Sequence, residues 1–318
     1  MRKNTPKWYE MERWIELKFS SLSSKIDRLI KRWFSMLRRK YILIPFVFMV
    51  LIFTSCIASL KEFEPMIRDS RWKLVWSDEF SGPKIDASKW RFEIGNNNGW
   101  GNGEWQYYTE GKNAWIENGM LVIEARNETV KDGNKTFNYT STRMKTESNF
   151  SVQYGKIEAR IKFPYGKGLW PAFWMLGTNI RYVGWPMCGE IDIVEFLGHD
   201  KWTVYGTLHG PGYHGSSAIG GKIRLEPPKP DFTSDFHVFG IMWDEEKIVW
   251  YVDDTVYHIV TKSAVESRGK IWVFDNEFFI ILNMAVGGYW PGYPTNETKF
   301  PAKMYVDYVR VYELQSNE

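Results

Sequence analysis

The feature that most constrains the fold of this chain is a period-two alternation of apolar and polar residues, repeated in short runs after about residue 70. The clearest runs are Gly119–Ala125, Lys156–Phe163, Ile248–Asp253 and Tyr305–Tyr312. Clusters of turn-forming residues separate such runs, among them Asn96–Gly99, Asp132–Asn134 and Gly210–Gly212. Short alternating strands bounded by Gly, Asn and Pro are typical of antiparallel sandwiches. The pattern predicts an all-β domain, an antiparallel β-sandwich over residues 71–314, with a short helix near Thr261–Arg268.

The N-terminal end of the chain has a different character. Residues 41–60 contain no charge over 20 positions, which is long enough to cross the core of a bilayer. The basic residues Arg38–Lys40 precede this segment and predict that its N-terminal side faces the cytoplasm. We therefore expect the β-domain to lie outside the cytoplasm. The predicted divisions are a basic tail at 1–40, a membrane-spanning or signal segment at 41–60, a linker at 61–70 and the domain at 71–314.

Two interpretations of the apolar segment stay open. In one it is a permanent membrane anchor with a cytoplasmic tail. In the other, translation begins at Met36, the segment is a secretory signal, and the basic tail is absent from the mature protein. The residues Phe53–Ser55 before Cys56 resemble the end of a bacterial lipoprotein signal, although Phe53 departs from the usual leucine. Membrane attachment would then depend on a lipidated Cys56.

Charge and aromatic content narrow the class of ligand. Residues 1–61 carry 13 Lys and Arg against 4 Asp and Glu, a net of +9, so the whole-chain charge of +3 leaves −6 on the remainder. A mildly acidic domain favours a neutral or cationic ligand over a polyanion, and we predict no nucleic-acid partner. Trp accounts for 17 of 318 residues, more than one core buries easily, and indole rings stack on the flat C–H faces of sugars.

Three acids in one predicted strand are the candidates for chemistry, because residues 189–195 read Gly-Glu-Ile-Asp-Ile-Val-Glu. On a regular strand Glu190 and Asp192 face one side, and the isoleucines between the acids face the sandwich interior. Glu195 has the opposite parity and would be buried with the isoleucines, which is costly for a carboxylate. One extra residue restores its direction, so we predict a β-bulge at Ile193–Val194.

The spacing of the two glutamates bears on the mechanism. Five residues span about 16 Å in an ideal strand. The bulge shortens this distance, and two inward-leaning side chains recover about 4 Å each. A carboxyl separation of about 5–6 Å favours a retaining glycosidase over an inverting one. We expect Asp192 to hydrogen-bond Glu190 and at least one pKa in the cluster to be raised, which would keep Glu195 protonated as the general acid.

The segment Trp170–Trp174, read together with residues 189–195, resembles glycoside hydrolase family 16. The stretch Gly101–Thr109 is similar to the laminarinase branch of that family, the endo-β-1,3-glucanases with the bulged motif. The resemblance covers residues 71–313. It implies a concanavalin A-like β-jelly roll with a concave substrate cleft, a β-glucan substrate, no cofactor for catalysis and a monomeric protein. The implied roles are nucleophile for Glu190, assistant for Asp192 and acid/base for Glu195.

The resemblance also implies a set of groove residues and a structural metal site. Trp170 and Trp174 would line the glycone side of the cleft. Further substrate contacts are expected at Asn96, Arg143, Trp185, His209, Asn283 and Trp290. Many relatives carry a structural Ca²⁺ away from catalysis, and Glu79, Gly119 and Asp307 match the positions of its ligands. Carbonyl and water oxygens would supply most of the six to eight ligands that calcium prefers.

Three functions remain to be separated at this point. The favoured one is a retaining endo-β-1,3-glucanase that acts by double displacement. The main alternative is a mixed-linkage β-1,3-1,4-glucanase of the same family. A non-catalytic carbohydrate-binding sandwich is the alternative from another class, because a fold alone does not settle function. A binding module, however, has no need of Glu190 and Glu195 together.

Overall fold

The computed structural model describes residues 60–316, which form two large antiparallel sheets packed against each other. The strands of this part of the chain are β1 (Trp72–Asp78), β2 (Arg91–Glu93), β3 (Gln106–Tyr108), β4 (Ala114–Glu117), β5 (Met120–Ala125), β6 (Val130–Asp132), β7 (Lys135–Phe137), β8 (Tyr139–Ser141), β9 (Arg143–Lys145), β10 (Gly155–Lys162), β11 (Leu169–Gly177), β12 (Glu190–Phe196), β13 (Thr203–His209), β14 (Ile219–Arg224), β15 (His237–Trp243), β16 (Lys247–Val252), β17 (Thr255–Thr261), β18 (Phe278–Val286) and β19 (Ala302–Leu314). The predicted all-β sandwich is confirmed.

The two large sheets differ in size and in role. The eight-stranded sheet has the order β17-β16-β15-β10-β19-β5-β4, with β1 paired to β19. The seven-stranded sheet has the order β14-β13-β12-β11-β18-β9-β2, so the acidic strand β12 lies near its middle. Two small sheets, the parallel pair β3–β8 and the antiparallel pair β6–β7, complete the described strands.

Helices are short in the described part of the chain. They are α1 (Glu64–Ile67), α2 (Ile180–Val183) and α3 (Lys262–Glu266), with single 3₁₀ turns at Asn97–Gly99 and Gly215–Ser217. The predicted helix near Thr261–Arg268 is confirmed as α3, whose first turn is capped because Thr261 Oγ1 accepts a hydrogen bond from Ala264 N at 3.2 Å. The helices connect strands and leave the architecture to the sheets.

The core lies between the two large sheets. Both isoleucines of the acidic motif, Ile191 and Ile193, are buried there, as the alternation predicted. They pack in one cluster with residues of the eight-stranded sheet such as Ile157, Trp250 and Val309. Because these side chains occupy the inner face, the acids of β12 are left on the outer face of the seven-stranded sheet, which we call the groove face.

Residues 61–70, predicted to be a linker, are instead packed on the eight-stranded sheet. Ile67 is buried in a cluster with Met242, Val249, Tyr251 and Val256, and Leu60, Phe63 and Met66 contact that cluster. The Ile67 carbonyl accepts a hydrogen bond from Lys156 Nζ at 3.1 Å. The linker was predicted because the period-two alternation begins only after this segment. That alternation indicates strands, and this segment forms the short helix α1 instead. Residues 60–67 therefore belong to the same compact unit as the sandwich.

The predicted tail at 1–40, Cys56 and all of the apolar segment except Leu60 lie outside the described residues. Within residues 60–316, no helix is long and apolar enough to cross a bilayer.

Candidate active site

The acidic strand β12 departs from regular pairing at one point. On β11, Leu176, Met175 and Trp174 pair with Glu190, Ile191 and Asp192, and the register then shifts. Beyond the shift, Phe173 pairs with Val194 and Ala172 with Glu195, so Ile193 has no partner on β11. The pairing with β13 shifts over the same residues. The β-bulge predicted at Ile193–Val194 is confirmed.

The bulge places Glu195 on the groove face. Directly opposed residues of an antiparallel pair share a face, and Ala172, the partner of Glu195, has the same parity as Trp174, the partner of Asp192. The partners of Glu190 and Glu195 on β11 are four residues apart rather than five. The backbone separation is therefore about 13 Å instead of about 16 Å. With about 4 Å of reach for each side chain, we expect the two carboxyls to lie about 5 Å apart, the separation that a retaining mechanism needs.

Glu190 is held by an indole and lies near an imidazole. Trp185 Nε1 donates a hydrogen bond to Glu190 Oε2 at 2.8 Å. His209, opposite Glu190 on β13, has its Nε2 atom 3.7 Å from Glu190 Oε1. The two predicted contact residues Trp185 and His209 thus surround the candidate nucleophile, and whether they also contact substrate stays a prediction.

The proton on His209 can be assigned from its neighbours. Gly215 N donates a hydrogen bond to His209 Nδ1 at 3.1 Å, so Nδ1 is an acceptor and Nε2 carries the proton of the neutral ring. That Nε2 atom lies 3.2 Å from Asp192 Oδ2. Asp192 was expected to hydrogen-bond Glu190. No hydrogen bond between the two is described, and the neutral His209 ring lies instead near both carboxylates.

The same three residues are close enough to suggest a metal site, because ligand atoms of Glu190, Asp192 and His209 lie within 4.8 Å of one another. A metal ion would need the lone pair of His209 Nε2. The hydrogen bond from Gly215 to Nδ1 leaves the proton on Nε2, so this nitrogen offers no lone pair to a metal ion. The three residues therefore fit a cluster that transfers protons rather than one that binds a metal ion.

The candidate acid/base is enclosed more tightly than the nucleophile. Glu195 is buried, with 8% of its surface exposed, and Thr207 Oγ1 donates a hydrogen bond to its Oε2 atom at 3.3 Å. Tyr205 is its direct partner on β13. Enclosure disfavours the charged form of a carboxyl, so this position suits a group that must carry a proton.

The pKa values of the three acids follow from this enclosure. Burial and then the charge of Asp192 raise the pKa of Glu190 to about 7, while His209 and the Trp185 indole oppose the shift. Burial raises the pKa of Asp192. Burial, followed by the charge of Asp192, raises the pKa of Glu195 well above that of an ordinary glutamate. Burial thus raises the pKa values of all three acids, and Glu195, the less exposed of the two glutamates, is well placed to carry a proton.

Aromatic side chains flank the acids on the groove face. Trp174 lies opposite Asp192 on β11, and Trp170 follows the same face of that strand. The rings of Trp170 and Trp290 meet edge to face at 5.7 Å, and Trp290 also meets Tyr205 at 4.9 Å. Three of the predicted groove tryptophans thus lie around the catalytic strand, in positions suited to stacking on sugar rings.

A chain of hydrogen bonds fixes the ring of Trp174. Its Nε1 atom donates to Asn283 Oδ1 at 2.7 Å, and Asn283 Nδ2 donates to the Tyr108 hydroxyl at 3.1 Å. Tyr108 donates in turn to the buried carboxylate of Glu104 at 3.4 Å. The predicted substrate residue Asn283 thus orients Trp174, and its own contact with sugar stays a prediction.

Arg143 lies between two indole rings. Its guanidinium carbon is 4.5 Å from the ring centroid of Trp100 and 4.6 Å from that of Trp174, and its Nε atom is 2.5 Å from Glu93 Oε2. Cation–π contacts with both rings and the ion pair with Glu93 hold the group in place. Arg143 is therefore placed at the groove, where it supports Trp174.

A scan against family models matches residues 101–310 to glycosyl hydrolases family 16. The chain belongs to this family. It is 42% identical over 252 residues to a beta-glucanase of Rhodothermus marinus, covering 76% of this chain and 85% of that protein. It is 39% identical over 259 residues to glucan endo-1,3-beta-glucosidase A1 of Niallia circulans, covering 76% of this chain and 38% of the relative.

Solved structures give the same assignment. The crystal structure of an endo-beta-1,3-glucanase from Pyrococcus furiosus is 60% identical, with a TM-score of 0.76, over 77% of this chain and 96% of that one. The chain spans about a third of the length of some curated relatives, and most of the length of others. The resemblance stated from the sequence is thereby confirmed, including the jelly-roll sandwich of family 16.

In this family 16 chain, the predicted groove residue Asn96 forms hydrogen bonds within a loop. The Asn96 amide nitrogen donates to the carbonyls of Glu104 and Gln106, at 3.0 and 2.8 Å, and its side-chain oxygen accepts from Gly99 N at 2.8 Å. These bonds brace residues 97–104, where Asn97, Asn98 and Trp100 adopt positive φ angles. A direct contact between Asn96 and substrate stays a prediction.

The three residues expected to hold calcium meet at one edge of β19. Strand β5 pairs with β19 as far as Val306, and β1 pairs with it from Val309 onward. Gly119 immediately precedes β5, Glu79 immediately follows β1, and Asp307 lies on β19 between the two pairings. The topology therefore brings the three backbones to one place, away from β12.

The carboxylates at that edge already have partners. Glu79 is bound by Arg310 through two hydrogen bonds of 2.9 and 2.7 Å, and Asp307 is bound by Arg160 at 2.7 Å. A calcium ion there would depend chiefly on main-chain carbonyls, the donor type expected from the sequence. The ion pair of Asp307 would also have to open if its side chain were a ligand.

Several residues that shape this family 16 site were given no role from the sequence. Thr207 and Tyr205 alternate on β13 opposite the acids, a pattern visible only once β13 is paired with β12. Glu104 and Tyr108 lie within the stretch that marked the laminarinase branch, but no periodic signal showed that they support Trp174.

Proposed function

We propose that this family 16 protein is an endo-acting hydrolase of β-1,3-glucan that retains the configuration of the cleaved bond. The observation that carries the proposal is the bulge at Ile193, which turns Glu195 to the same face as Glu190 and shortens their separation along the strand by one residue. Relatives named beta-glucanase and endo-beta-1,3-glucanase support this substrate.

The reaction proceeds in two displacements. The ionised Glu190 carboxylate attacks the anomeric carbon, while the Glu195 carboxyl donates its proton to the glycosidic oxygen, and the bond to the leaving sugar breaks. The product is a glycosyl ester on Glu190 and an ionised Glu195. Glu195 then removes a proton from water, the hydroxide oxygen attacks the same anomeric carbon, and Glu190 leaves as a carboxylate.

Asp192 and His209 set the pKa values of the two glutamates that exchange these protons. Asp192 lies between the glutamates in sequence and faces the groove, so its charge raises the pKa values of both neighbours. His209, whose Nε2 atom lies 3.2 Å from Asp192 Oδ2 and 3.7 Å from Glu190 Oε1, opposes these shifts in part. The nucleophile is thus favoured in its ionised form, and the acid in its protonated form.

Laminarin hydrolysis with the full chain tests the activity, and the anomer of the first products tests the mechanism. Proton NMR during early turnover should show β-anomers before mutarotation, as retention requires. Glu195→Ala should be rescued by azide to give a β-glycosyl azide, whereas azide rescue of Glu190→Ala should give the α-anomer. α-Anomers from the wild type would overturn retention, and equal release from barley mixed-linkage glucan would favour the alternative substrate.

The site of action is a second part of the proposal. The 20 uncharged positions at 41–60 support attachment to a membrane, by a spanning segment or by lipid on Cys56, with the catalytic domain outside the cytoplasm. Protease added to intact cells should degrade the domain, and mass spectrometry of the purified protein should show whether the chain starts at Cys56. We also propose that the domain is a monomer, which light scattering of the solubilised protein measures.

A structural calcium ion is a further part of the proposal, with ligands from Glu79, Gly119 and Asp307. The meeting of three chain segments at one edge of β19 supports it. Added calcium should raise the melting temperature, and a chelator should lower it, without changing the anomer of the product. A melting temperature insensitive to both would remove the metal from the proposal.

A further inference from the structure

The catalytic bulge is contacted from inside the sandwich by a residue of the opposite sheet. Trp250, on β16 of the eight-stranded sheet, is fully buried in the main core. Its Nε1 atom donates a hydrogen bond to the main-chain carbonyl of Asp192 at 2.9 Å. Asp192 is the last residue of β12 that pairs regularly before the bulge. The indole therefore holds the backbone at the point where the two catalytic glutamates are set apart.

A glycine leaves the space that the indole occupies. Gly206 lies on β13 between Tyr205 and Thr207, the partners of Glu195 and Asp192. A Cβ atom at Gly206 would come within 2.4 Å of Trp250 Cδ1 and 2.5 Å of the Tyr257 hydroxyl. Contacts this short are not tolerated in close-packed cores. The missing side chain thus admits Trp250 beneath the bulged segment.

The opposite sheet is itself irregular beneath the site. In the pairing of β16 with β17, Trp250 lies opposite His258 and Tyr251 opposite Val256, so Tyr257 is an extra residue. The ring of His258 packs against Trp250 with a centroid distance of 4.9 Å. Two bulges, one in each sheet, therefore face the same part of the core, and Trp250 connects them.

We infer that Trp250 is a positioning residue for catalysis, which holds the bulge of β12 in place through the Asp192 carbonyl and so fixes Glu195 relative to Glu190. The inference rests on the proposed retaining mechanism, in which the separation of the two carboxyls decides the outcome. A misplacement of about 1 Å can cost about 100-fold in rate. Removal of one N–H from the core leaves the Asp192 carbonyl without this partner, and the bulged segment is then free to shift.

Trp250→Phe in the full chain tests the inference, with Trp90→Phe as its matched control. Trp90 is also buried, and its Nε1 atom donates a single described hydrogen bond, to Asp78 Oδ2 at 2.8 Å. It precedes β2, at the edge of the seven-stranded sheet and four strands from β12. Both variants lose one aromatic ring, one N–H and some stability, but only one of them touches the bulge.

For laminarin hydrolysis by Trp250→Phe we expect kcat to fall by about tenfold or more, with KM unchanged within about twofold. The basic limb of its pH profile should move to lower pH, because a displaced Glu195 loses part of its enclosure. Trp90→Phe should keep kcat and the pH profile within about twofold of the wild type, even where its melting temperature falls as far.

A second replacement separates the loss of the N–H group from the loss of packing that could disturb folding. Benzothienylalanine at position 250 keeps both fused rings and exchanges the N–H for a sulfur atom that cannot donate. The same loss of kcat and the same shift of the pH profile support the inference. Wild-type kcat with the isostere, or changes that the Trp90 control reproduces, overturns it. A wild-type chain that does not hydrolyse laminarin would instead count against the proposed function.

Discussion

His209 places its Nε2 atom 3.2 Å from Asp192 Oδ2, and Gly215 N donates a hydrogen bond to the other ring nitrogen, Nδ1, which leaves the proton of the neutral ring on Nε2. The imidazole beside the nucleophile is therefore neutral, and neither of its nitrogens has a free lone pair with which to act as a general base. This assignment distinguishes His209 from a histidine that takes up the proton during catalysis, and it can be tested by substitution.

We expect His209→Phe to lower kcat/KM on laminarin by about 10- to 100-fold, because both carboxylates lose a nearby N–H. The contact with His209 lowers the pKa of Glu190, so its removal should move the acid limb of the pH profile to higher pH. His209→Gln keeps an N–H donor and should lose less activity with a smaller shift. Equal losses in both variants would show that ring shape matters more than the donated proton.

The pH dependence of the wild type should be bell-shaped. Activity requires an ionised Glu190 and a protonated Glu195, and the pKa of Glu190 is raised to about 7. The acid limb of kcat/KM should therefore have an apparent pKa near 7, well above that of an ordinary glutamate, and the basic limb should lie at higher pH. An acid limb at the ordinary pKa of a glutamate would mean that Glu190 is less enclosed than the structure describes.

Glu190→Gln should abolish activity and raise stability at once. Folding raises the pKa of Glu190 from 4.5 to about 7, so its contribution to stability is full below pH 4.5 and is lost as the pH rises through 7. At pH 8 the ionised group costs up to about 3 kcal/mol, which the amide removes. Urea unfolding should show a stability gain at pH 8 that shrinks towards pH 4.5, while kcat falls by about 1,000-fold or more. A gain that does not depend on pH would point to a cause other than ionisation.

Much of the site could be predicted because the three acids lie close together in the sequence, on the single strand β12. Three acids with mismatched parity in Glu190–Glu195 predict both the groove face and the bulge, since a buried glutamate among isoleucines would be too costly. The alternating runs likewise predict β10, β16 and β19, each of which forms where the pattern placed it. These inferences use neighbours in sequence, whose spacing a strand fixes.

The remaining parts depend on pairings between distant segments. Trp250 lies more than 50 residues from Asp192 in the sequence, and Gly206 lies more than 10 residues from it. Nothing in the local sequence of either residue shows that the two meet beneath Asp192. The role of Asn283 towards Trp174 and the tautomer of His209 depend on such meetings too. Sequence periodicity shows which face a residue takes, but not what lies across from it.

His258 should make the sandwich sensitive to mild acid. Burial lowers its pKa from 6.5 to about 4, so the folded state keeps the ring neutral while the unfolded chain takes up a proton below pH 6.5. The stability contribution is present above pH 6.5 and falls by up to about 3 kcal/mol as the pH drops to 4. His258→Phe keeps a ring against Trp250 and should flatten the loss of stability between pH 6.5 and 4. The exposed His199→Phe serves as control and should leave that slope unchanged.

The segment before β1 should behave as part of the catalytic domain. Ile67 is 6% exposed and packs against Met242, Val249 and Tyr251, so Ile67→Ala removes buried methyl groups and should lower the free energy of unfolding by about 2 kcal/mol or more. Leu74→Ala is the matched control, because Leu74 is 48% exposed on β1 and its loss should cost less than about 0.5 kcal/mol. Neither change touches the groove, so kcat on laminarin should stay at the wild-type value in both. If Ile67→Ala unfolds at the same denaturant concentration as Leu74→Ala, residues 60–68 do not contribute to the core, and the linker predicted from the sequence is the better description.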